Sequence, residues 1–324
     1  MSGLADRLTA IRAGSGLFRQ ETRGVLEVSG SERSRWLDGM VSHDVAALGP
    51  GAGCRALLLT RQGRITADLR ILCLDEVFWL GLPRAAVEGV RSVLDGFIIA
   101  DDVTLENRSA ELERWSLDGA KAEQIFAATT GGSSLPATGG SVVVRIAEQE
   151  VRVASYSLTG LPALQFFAPL GTGDEVAEAL RAAGESLGLV DGDTEAHECL
   201  RVEMGQAAMG TELDDSVLPA EARIDEAISE TKGCYTGQEV VARMRSRGRT
   251  SHLLVGLQFA AELQERGSEL AHEGQRIGEV TSSVRSPSLG AIGMGYVKAE
   301  LAVAGTQLQA GGFGAQVVAL PFLS

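Results

Sequence analysis

The chain has 324 residues, of which 44% are hydrophobic, and a formal net charge of -14 at pH 7. A chain of this length exceeds one ordinary hydrophobic core, so we expect two or three domains. The negative charge argues against wholesale wrapping of nucleic acid, because most of the surface would repel phosphate. Forty glycines indicate many tight turns, which are typical of strands and barrels.

The N-terminal segment and the cysteines indicate a cytoplasmic protein. Residues 1–18 contain no continuous apolar run, and no window approaches the roughly 18 apolar residues of a membrane span. The cysteines at 54, 73, 199 and 234 form no C-x-x-C motif, so neither a disulfide framework nor a zinc ribbon is indicated. We therefore expect reduced thiols and no resident metal.

The first third of the chain predicts one helix, one strand, a second helix and then a three-stranded meander. Leu4, Leu8 and Ile11 follow helical spacing. In chain order, the predicted elements are a helix at 4–13, a strand at 24–30, a helix at 31–48, and strands at 54–60, 64–74 and 77–82. Short polar breaks between the last three runs are typical of hairpin turns.

The rest of the chain alternates helix and strand before it becomes entirely strand-like. We predict a helix at 84–97, a strand at 99–109, a glycine-rich linker at 129–140, and helices at 174–184 and 193–205. The last two helices each open with an acidic residue and close with glycine. After about residue 250 the pattern indicates short strands broken by glycine, and so a small separate β-barrel.

A carboxylate lies at the end of an apolar stripe on the predicted helix 193–205. Helical spacing places Glu203 on the same side as Ala196, Cys199 and Leu200, so its charge needs a partner. One alternative is a structural ion pair between Glu203 and a nearby arginine. The following loop, residues 205–221, is long yet rich in apolar residues, which favours a functional loop over a disordered one.

Two motifs around this loop resemble the folate-binding YgfZ family, relatives of the glycine-cleavage aminomethyltransferase. They are CLRVEMGQAAMGTELDDSVLPAEA at 199–222 and KGCYTGQEVVARM at 232–244, and segments 35–48, 57–69 and 274–297 resemble the same superfamily. The resemblance implies an α+β fold arranged as a three-lobed ring. Its expected parts are a discontinuous N-terminal α/β lobe (1–52 and 151–245), a ferredoxin-like lobe (53–150) and a C-terminal β-barrel (246–324).

The same resemblance implies a folate site in the central hole of the ring, holding tetrahydrofolate or another reduced folate. Glu203 falls where the family's carboxylate holds the pterin ring, and a carboxylate can accept a bidentate pair of N–H bonds. The residues assigned with it to the folate site are Arg201, Lys232, Tyr235 and Gln238.

The aminomethyltransferase branch uses an aspartate after the central strands of its second lobe and lacks the glycine-flanked cysteine. Here no acid lies between Val77 and Val87. Both differences favour the YgfZ group, and the resemblance to that group implies an accessory protein for assembly or repair of iron–sulfur clusters in client enzymes. The alternatives are a tetrahydrofolate-dependent aminomethyltransferase or demethylase of the glycine-cleavage T-protein type, and a structural adaptor with a vestigial pocket.

The segment 232–244 predicts a functional thiol at Cys234. Thr236 and Glu239 form a T-x-x-E capping box, which makes Thr236 the N-cap of a helix and places Cys234 just before it. Unpaired N–H groups, the helix dipole and Lys232 would favour a thiolate there. The alternatives are a packed apolar residue and a transient cluster ligand; the wide spacing of the four cysteines argues against a resident cluster.

Four arginines in the segment 243–249 form a local basic patch on an acidic chain: Arg243, Arg245, Arg247 and Arg249. If this segment is extended, all four side chains point to one side. The patch would then bind a folate's glutamate tail, an acidic partner or RNA. The alternative is a solvated strand edge. The four histidines show no ligand spacing, so we assign them no catalytic role.

Overall fold

The computed structural model of the chain describes residues 3–248 and 250–323. Within these residues the α-helices, α1 to α8, are Leu4–Ala13, Arg33–Met40, Val87–Asp95, Ala122–Thr130, Gly173–Gly184, Thr194–Glu203, Pro219–Ala222 and Gln238–Arg247. The strands β1 to β9 are Ser15–Arg19, Arg23–Ser29, Gly53–Leu59, Ile65–Cys73, Phe78–Pro83, Thr104–Asn107, Leu112–Asp118, Ser141–Ile146 and Gln149–Ala154. The strands β10 to β17 are Ala163–Pro169, Leu189–Asp191, His252–Phe259, Glu269–His272, Gln275–Ser286, Gly290–Lys298, Gln307–Ala310 and Phe313–Val318.

The first sheet has six strands in the order β11-β1-β7-β10-β9-β8. Strand β1 pairs parallel with β11 and antiparallel with β7, so residues distant in sequence meet at one edge. Helices α4 and α5 contribute Phe126 and Leu180 to a core shared with Phe166 and Val153 of the sheet. Burial of these apolar faces stabilises this half of the molecule.

The second sheet has five strands in the order β3-β4-β5-β2-β6. Its core face carries Leu26, Leu69 and Leu80, which pack with Trp36 of α2 and Leu94 of α3. Strand β4 alternates buried and half-buried residues from Ile65 to Ile71, and its last residues are all buried. One face of β4 therefore lies in the core, while the other face is free to line a cavity.

The third unit is a closed barrel with the strand order β12-β15-β14-β13-β16-β17. The sequence predicted a barrel after about residue 250, and the structure confirms it. Helix α6 lies against the barrel, where Val202 packs with Leu254, Ile292 and Met294. This contact connects the helix most relevant to the candidate site with the C-terminal unit.

The strand pairing corrects the lobe boundaries expected from the sequence. Strand β2 belongs to the second sheet, although it lies within residues 1–52. Strands β7 and β8 belong to the first sheet, although they lie within residues 53–150. The chain leaves the first sheet after β1 and returns to it at β7, and hydrophobic periodicity carries no information about which strands pair.

Several local predictions also change. The helix expected at 31–48 ends at Met40, because Val41 is extended and forms a bridge with Leu58. The strand expected at 99–109 is confined to Thr104–Asn107, and the helix Ala122–Thr130 was missed. None of the helices in the described residues is both long and apolar enough to cross a membrane.

Candidate functional site

A cavity of about 590 Å³ lies between the two sheets and the start of α6. Most of its wall comes from the end of β1 and the turn to β2, the outward face of β4, the segment 192–201 that includes most of α6, and the loop 206–209; Pro83 of β5 and Leu158 complete it. Its volume falls within the range of roughly 300–1,000 Å³ that small-molecule sites have. We call this space the central cavity.

Asp68 is the carboxylate that β4 presents to the central cavity. The Nε of Arg55 donates to Asp68 Oδ1 at 2.8 Å, and its Nη2 donates to Oδ2 at 2.9 Å. Burial disfavours the charged carboxylate, but Arg55 and Arg70 outweigh burial and hold the pKa of Asp68 below its ordinary value. Asp68 is therefore a fixed negative charge at neutral pH.

Three polar atoms in the cavity wall have no hydrogen-bond partner among the described residues. They are Nε of Arg23, Nε of Arg70 and Nε2 of His197. Burial, followed by the neighbouring Arg114, lowers the pKa of Arg23 to about 10. Unpartnered buried polar groups are rare in native proteins, so the wall fits a ligand that carries acceptor atoms.

His197 enters the central cavity from α6 as a neutral ring. Burial lowers its pKa to about 4, and the ring lies edge-on to Phe18 with centroids 5.4 Å apart. Helix α6 begins where it does because Asp193 Oδ1 accepts from the backbone N–H of Ala196 at 2.9 Å. Helical spacing then carries Glu198 and Arg201 to the same side as His197.

Arg201 is held by a network that reaches into the barrel. Its Nε donates to Glu198 Oε2 and its Nη1 donates to Glu212 Oε2, both at 2.8 Å. Glu212 also accepts from Thr281 and Ser282 of β14. Among the five residues assigned to the folate site from sequence, Arg201 is the one that lines the central cavity.

Glu203 is not among the residues that line the central cavity, and its assignment to the folate site stays a prediction. Its side chain is fully buried, Oε1 accepts from Ser286 Oγ at 2.6 Å, and Oε2 pairs with Arg12 of α1. The alternative of a structural ion pair with a nearby arginine describes this geometry. Residues 198 and 201 of α6 face the cavity, whereas residue 203 turns toward α1 and the barrel.

Lys232, Tyr235 and Gln238 do not line the central cavity either. The Nζ of Lys232 donates to the carbonyl oxygens of Asp38, Val41 and His43 at 2.6, 2.8 and 2.9 Å. Tyr235 is buried in an apolar cluster. The side chain of Gln238 donates to the Gly233 carbonyl at 3.4 Å. These contacts anchor the segment around Cys234 to its neighbours, and the assignment of the three residues to the folate site stays a prediction.

The capping box predicted at Thr236 is wrong. Helix α8 begins at Gln238 with Gly237 as its N-cap, and no side chain caps it. Gly237 has φ 86°, and a Cβ there would lie 2.6 Å from the Thr60 carbonyl oxygen, so glycine is required. The helix therefore begins one residue farther from Cys234 than the sequence predicted.

Cys234 is nevertheless the exposed member of the four cysteines; Cys54 is half-buried, and Cys73 and Cys199 are buried. Burial raises the pKa of Cys54 and of Cys199 to about 12. Within residues 3–248 and 250–323, no group of three or more His, Cys, Asp or Glu side chains could hold a metal ion.

The arginine-rich segment is helical rather than extended as far as Arg247. Arg243 and Arg245 therefore cannot point to one side, because residues two apart on a helix diverge. The guanidinium of Arg245 lies 3.8 Å from Asp225 and 3.9 Å from Glu230. Arg249 lies outside the described residues. An anionic partner for this segment stays a prediction.

The two sheets, the closed barrel and the cavity between the sheets define an aminomethyltransferase-like fold. The crystal structure of glycine cleavage system aminomethyltransferase T from Bartonella henselae superposes with a TM-score of 0.88 at 23% identity, covering 99% of this chain and 90% of that chain. The family model of the GCVT N-terminal domain matches residues 1–232, and that of the glycine cleavage T-protein C-terminal barrel domain matches residues 253–323. The chain therefore belongs to the GCVT family.

Curated relatives extend over nearly the whole chain. The aminomethyltransferase of Bacillus velezensis is 28% identical over 318 residues, which cover 95% of this chain and 85% of the relative. The aminomethyltransferase of Chloroherpeton thalassium is 28% identical over 333 residues, which cover 99% of this chain and 91% of the relative. Membership of the YgfZ branch in particular is not shown by these matches.

Asp68 and His197 are among the cavity residues that were not predicted from the sequence. The aspartate of the aminomethyltransferase branch was sought within residues 77–87, where this chain has no acid, whereas Asp68 lies one strand earlier on β4. The alternation of polar and apolar residues along β4 was the signal that could have found it, since residues 66, 68 and 70 share one face. Histidine spacing gave no signal for His197, because one histidine supplies no pattern.

Proposed function

We propose that the protein is a tetrahydrofolate-dependent one-carbon transferase of the aminomethyltransferase type, acting in the central cavity. Membership of the GCVT family supports this assignment, as do the relatives named aminomethyltransferase. The observation that carries it is Asp68, a carboxylate kept ionised in a cavity wall that also offers unpartnered polar atoms. Asp68 supplies a carboxylate in the cavity although no acid lies between Val77 and Val87.

The cavity residues fit a reduced folate. The pterin edge of a folate presents N–H donors and a carbonyl acceptor. Glu198 retains acceptor capacity beside its bonds to Arg201, because a carboxylate has about four lone-pair sites. Arg70 and His197 supply unpartnered atoms for the opposite role. When bound, the folate would supply a nitrogen that accepts the one-carbon unit.

Asp68 would act on the amine part of the substrate. Its side chain is 13% exposed, so water screens its charge only weakly, although Arg55 and Arg70 offset part of that charge. Arg55 holds both carboxylate oxygens, which fixes their direction before the substrate arrives. A preorganised charge of this kind can stabilise positive charge that develops during transfer of an aminomethyl carbon.

The test is a pair of measurements on Asp68→Asn and on the control Asp191→Asn, which removes an exposed carboxylate paired with Arg181. Calorimetric titration with tetrahydrofolate should give similar affinities for both variants. One-carbon transfer from candidate aminomethyl donors should fall about 10²- to 10³-fold in the first variant only. Absence of folate binding to the wild type would refute the proposal, and full transfer by Asp68→Asn would remove Asp68 from it.

A second candidate function is the iron–sulfur accessory role with Cys234 as its thiol. The observation that favours it is the exposure of Cys234 on a segment anchored on both sides, by Lys232 and by Tyr235. An accessible thiol at a fixed position suits transient ligation or redox exchange. Cys234→Ser should abolish rescue of iron–sulfur enzymes in cells lacking the protein, while transferase activity in the central cavity persists. Full rescue by this variant would eliminate the accessory role of the thiol.

A further inference from the structure

A second cavity of about 590 Å³ lies between the barrel and the loop that leads into α7. Its walls come from β12, β14 and β15, from the segment 216–221, and from Arg64 just before β4. It shares no lining residue with the central cavity. We call this separate space the barrel cleft.

Lys298 is a half-buried cation in the wall of the barrel cleft. It is one of three lysines in the chain, and it ends β15 directly opposite His252 of β12. Side chains directly opposite each other on paired strands lie on the same face of the sheet. Neither of these two side chains has a hydrogen bond or an ion pair among the residues that the structure describes. An ammonium group and an imidazole are therefore both available to a ligand.

The carboxylates of the barrel cleft already have partners. Glu221 Oε2 lies 3.7 Å from Arg64 Nη1, and Glu279 Oε2 accepts from Arg276 Nη2 at 3.1 Å. With the histidine neutral, the lining holds three cations and two carboxylates, so the charge of Lys298 is the one left over. The chain as a whole has a net charge of -14. A cavity with a positive balance on such a chain favours an anionic ligand.

The lining of the barrel cleft also offers apolar surface and room for more than a bare ion. Val217 and Ile277 are buried, and the Tyr296 ring is held in place because its hydroxyl donates to the Glu212 carbonyl oxygen at 3.0 Å. The volume is many times the roughly 30 Å³ that one water molecule occupies in the liquid. Tyr296 and Lys298 are two residues apart on β15 and so share a face. A ligand that fits therefore combines an anionic group with a small apolar body.

We propose that the barrel cleft binds a small organic oxyanion, with the anionic group at Lys298 and His252 and the apolar body against Tyr296. An oxyanion accepts charge-assisted N–H bonds from an ammonium group, and such bonds are stronger than those between neutral groups. Phosphate esters and carboxylates share this chemistry, so the experiment includes a probe of each kind. The inference goes beyond the proposed function and does not depend on it, because the barrel cleft lies apart from the central cavity.

The first experiment follows acetylation of the three lysines in the native full chain by acetic anhydride, with peptide mass spectrometry as the readout. Lys121 is also half-buried and lies outside the barrel cleft, so it is the internal reference, whereas Lys232 is 1% exposed and should not react. The probes are phenyl phosphate, phenylacetate and the neutral benzyl alcohol, at equal ionic strength. At about ten times its dissociation constant, a bound anion should slow acetylation of Lys298 about tenfold and leave Lys121 unchanged.

The second experiment measures the affinity of the protecting anion by calorimetry in Lys298→Gln and in the control Lys121→Gln. The first variant should bind about tenfold more weakly, because it lacks the charged donor, and the second should bind like wild type. Protection by phenyl phosphate, by phenylacetate or by both supports the proposal and assigns the oxyanion. Protection by neither anion, equal protection by benzyl alcohol, equal protection of Lys121, or unchanged affinity in Lys298→Gln overturns it.

Discussion

Arg55 and Asp68 form a bidentate ion pair across two neighbouring strands, with N–O distances of 2.8 and 2.9 Å. Both side chains are nearly buried, at 12% and 13% exposure. Asp68 lines the central cavity and Arg55 does not. The charge presented to a ligand therefore depends on a residue that lies behind the cavity wall.

Arg55→Gln should destabilise the protein by about 3–5 kcal/mol at neutral pH, because it leaves a buried carboxylate without its main partner. The pKa of Asp68 lies below its ordinary value of 3.8 in the folded wild type. The contribution of the Arg55–Asp68 pair to folding stability is therefore present above about pH 4. It is lost as the pH falls through the pKa that Asp68 has in the folded protein. Urea unfolding at several pH values should show that the difference in unfolding free energy between wild type and variant becomes smaller in acid. A difference that does not depend on pH would contradict this account.

His197 should make stability depend on pH between about 6.5 and 4. Burial lowers its pKa from 6.5 to about 4, so the unfolded chain binds the proton more readily in that window. The stability that the neutral His197 ring contributes is fully present above pH 6.5. As the pH falls below 6.5 the protein loses up to about 3 kcal/mol of this stability.

The measurement for His197 is the difference in unfolding free energy between wild type and His197→Gln. Burial raises the pKa of Asp118 to about 6, which makes the Asp118 contribution grow as the pH falls from 6. That opposing effect is common to both proteins and cancels in the difference. A difference that stays constant from pH 7 to pH 4.5 or so would show that the ring is not buried in its neutral form.

The sequence predicted those parts of the fold that local patterns determine. Helices α1, α5 and α6 and the terminal barrel follow from helical spacing, caps and glycine-broken strands. The pairing of β2 with β5, and of β1 with β7, could not be predicted, because it depends on contacts between residues far apart in the chain.

The candidate site was predicted less well, for a related reason. The resemblance drew attention to Glu203, but the direction of a helical side chain is decided by what packs on each side of the helix. Here α1 and the barrel lie on the side of Glu203, and the cavity lies on the side of His197 and Arg201. Asp68 was not predicted as a site residue, because its strand was interpreted only as one strand of a meander.

Glu203→Gln should reduce stability without reducing folate affinity. The substitution replaces a charged acceptor of bonds from Arg12 and Ser286 by a neutral amide, at a cost of about 1–3 kcal/mol. Thermal unfolding and calorimetric folate titration measure the two effects separately. Weaker folate binding at unchanged Tm would instead place Glu203 in the ligand site.

Cys234 should be the first thiol to react in the native protein. It is exposed, whereas burial raises the pKa of Cys54, Cys73 and Cys199. Iodoacetamide near neutral pH, followed by peptide mass spectrometry, should label Cys234 before unfolding and the other three only after it. Cys234→Ser should show almost no native labelling and a stability within about 0.5 kcal/mol of wild type. Native labelling of a buried cysteine at a comparable rate would contradict the packing described here.

Lys232 should prove to be a structural anchor rather than a folate ligand. Its side chain is 1% exposed, and its ammonium group binds Asp38 Oδ1 in addition to the carbonyl oxygens of Asp38, Val41 and His43. The acceptors lie in the last turn of α2 (Asp38) and just after it (Val41 and His43), where carbonyl groups lack helical partners and a cation is favourable.

Lys232→Met keeps the length of the side chain but removes every donor, so several buried acceptors lose their partner at once. We expect a loss of about 3–5 kcal/mol, the scale for removing one member of a buried charged pair. Lys121→Met is the control, because Lys121 is only half-buried and lies at the start of α4, which packs on the first sheet. Hydrogen exchange should rise over residues 229–236 in the first variant, while residues 193–201 of the cavity wall keep their protection. If Lys232→Met instead abolished folate binding at unchanged stability, the contacts with α2 would be incidental and Lys232 would belong to the ligand site, as the sequence motif had implied.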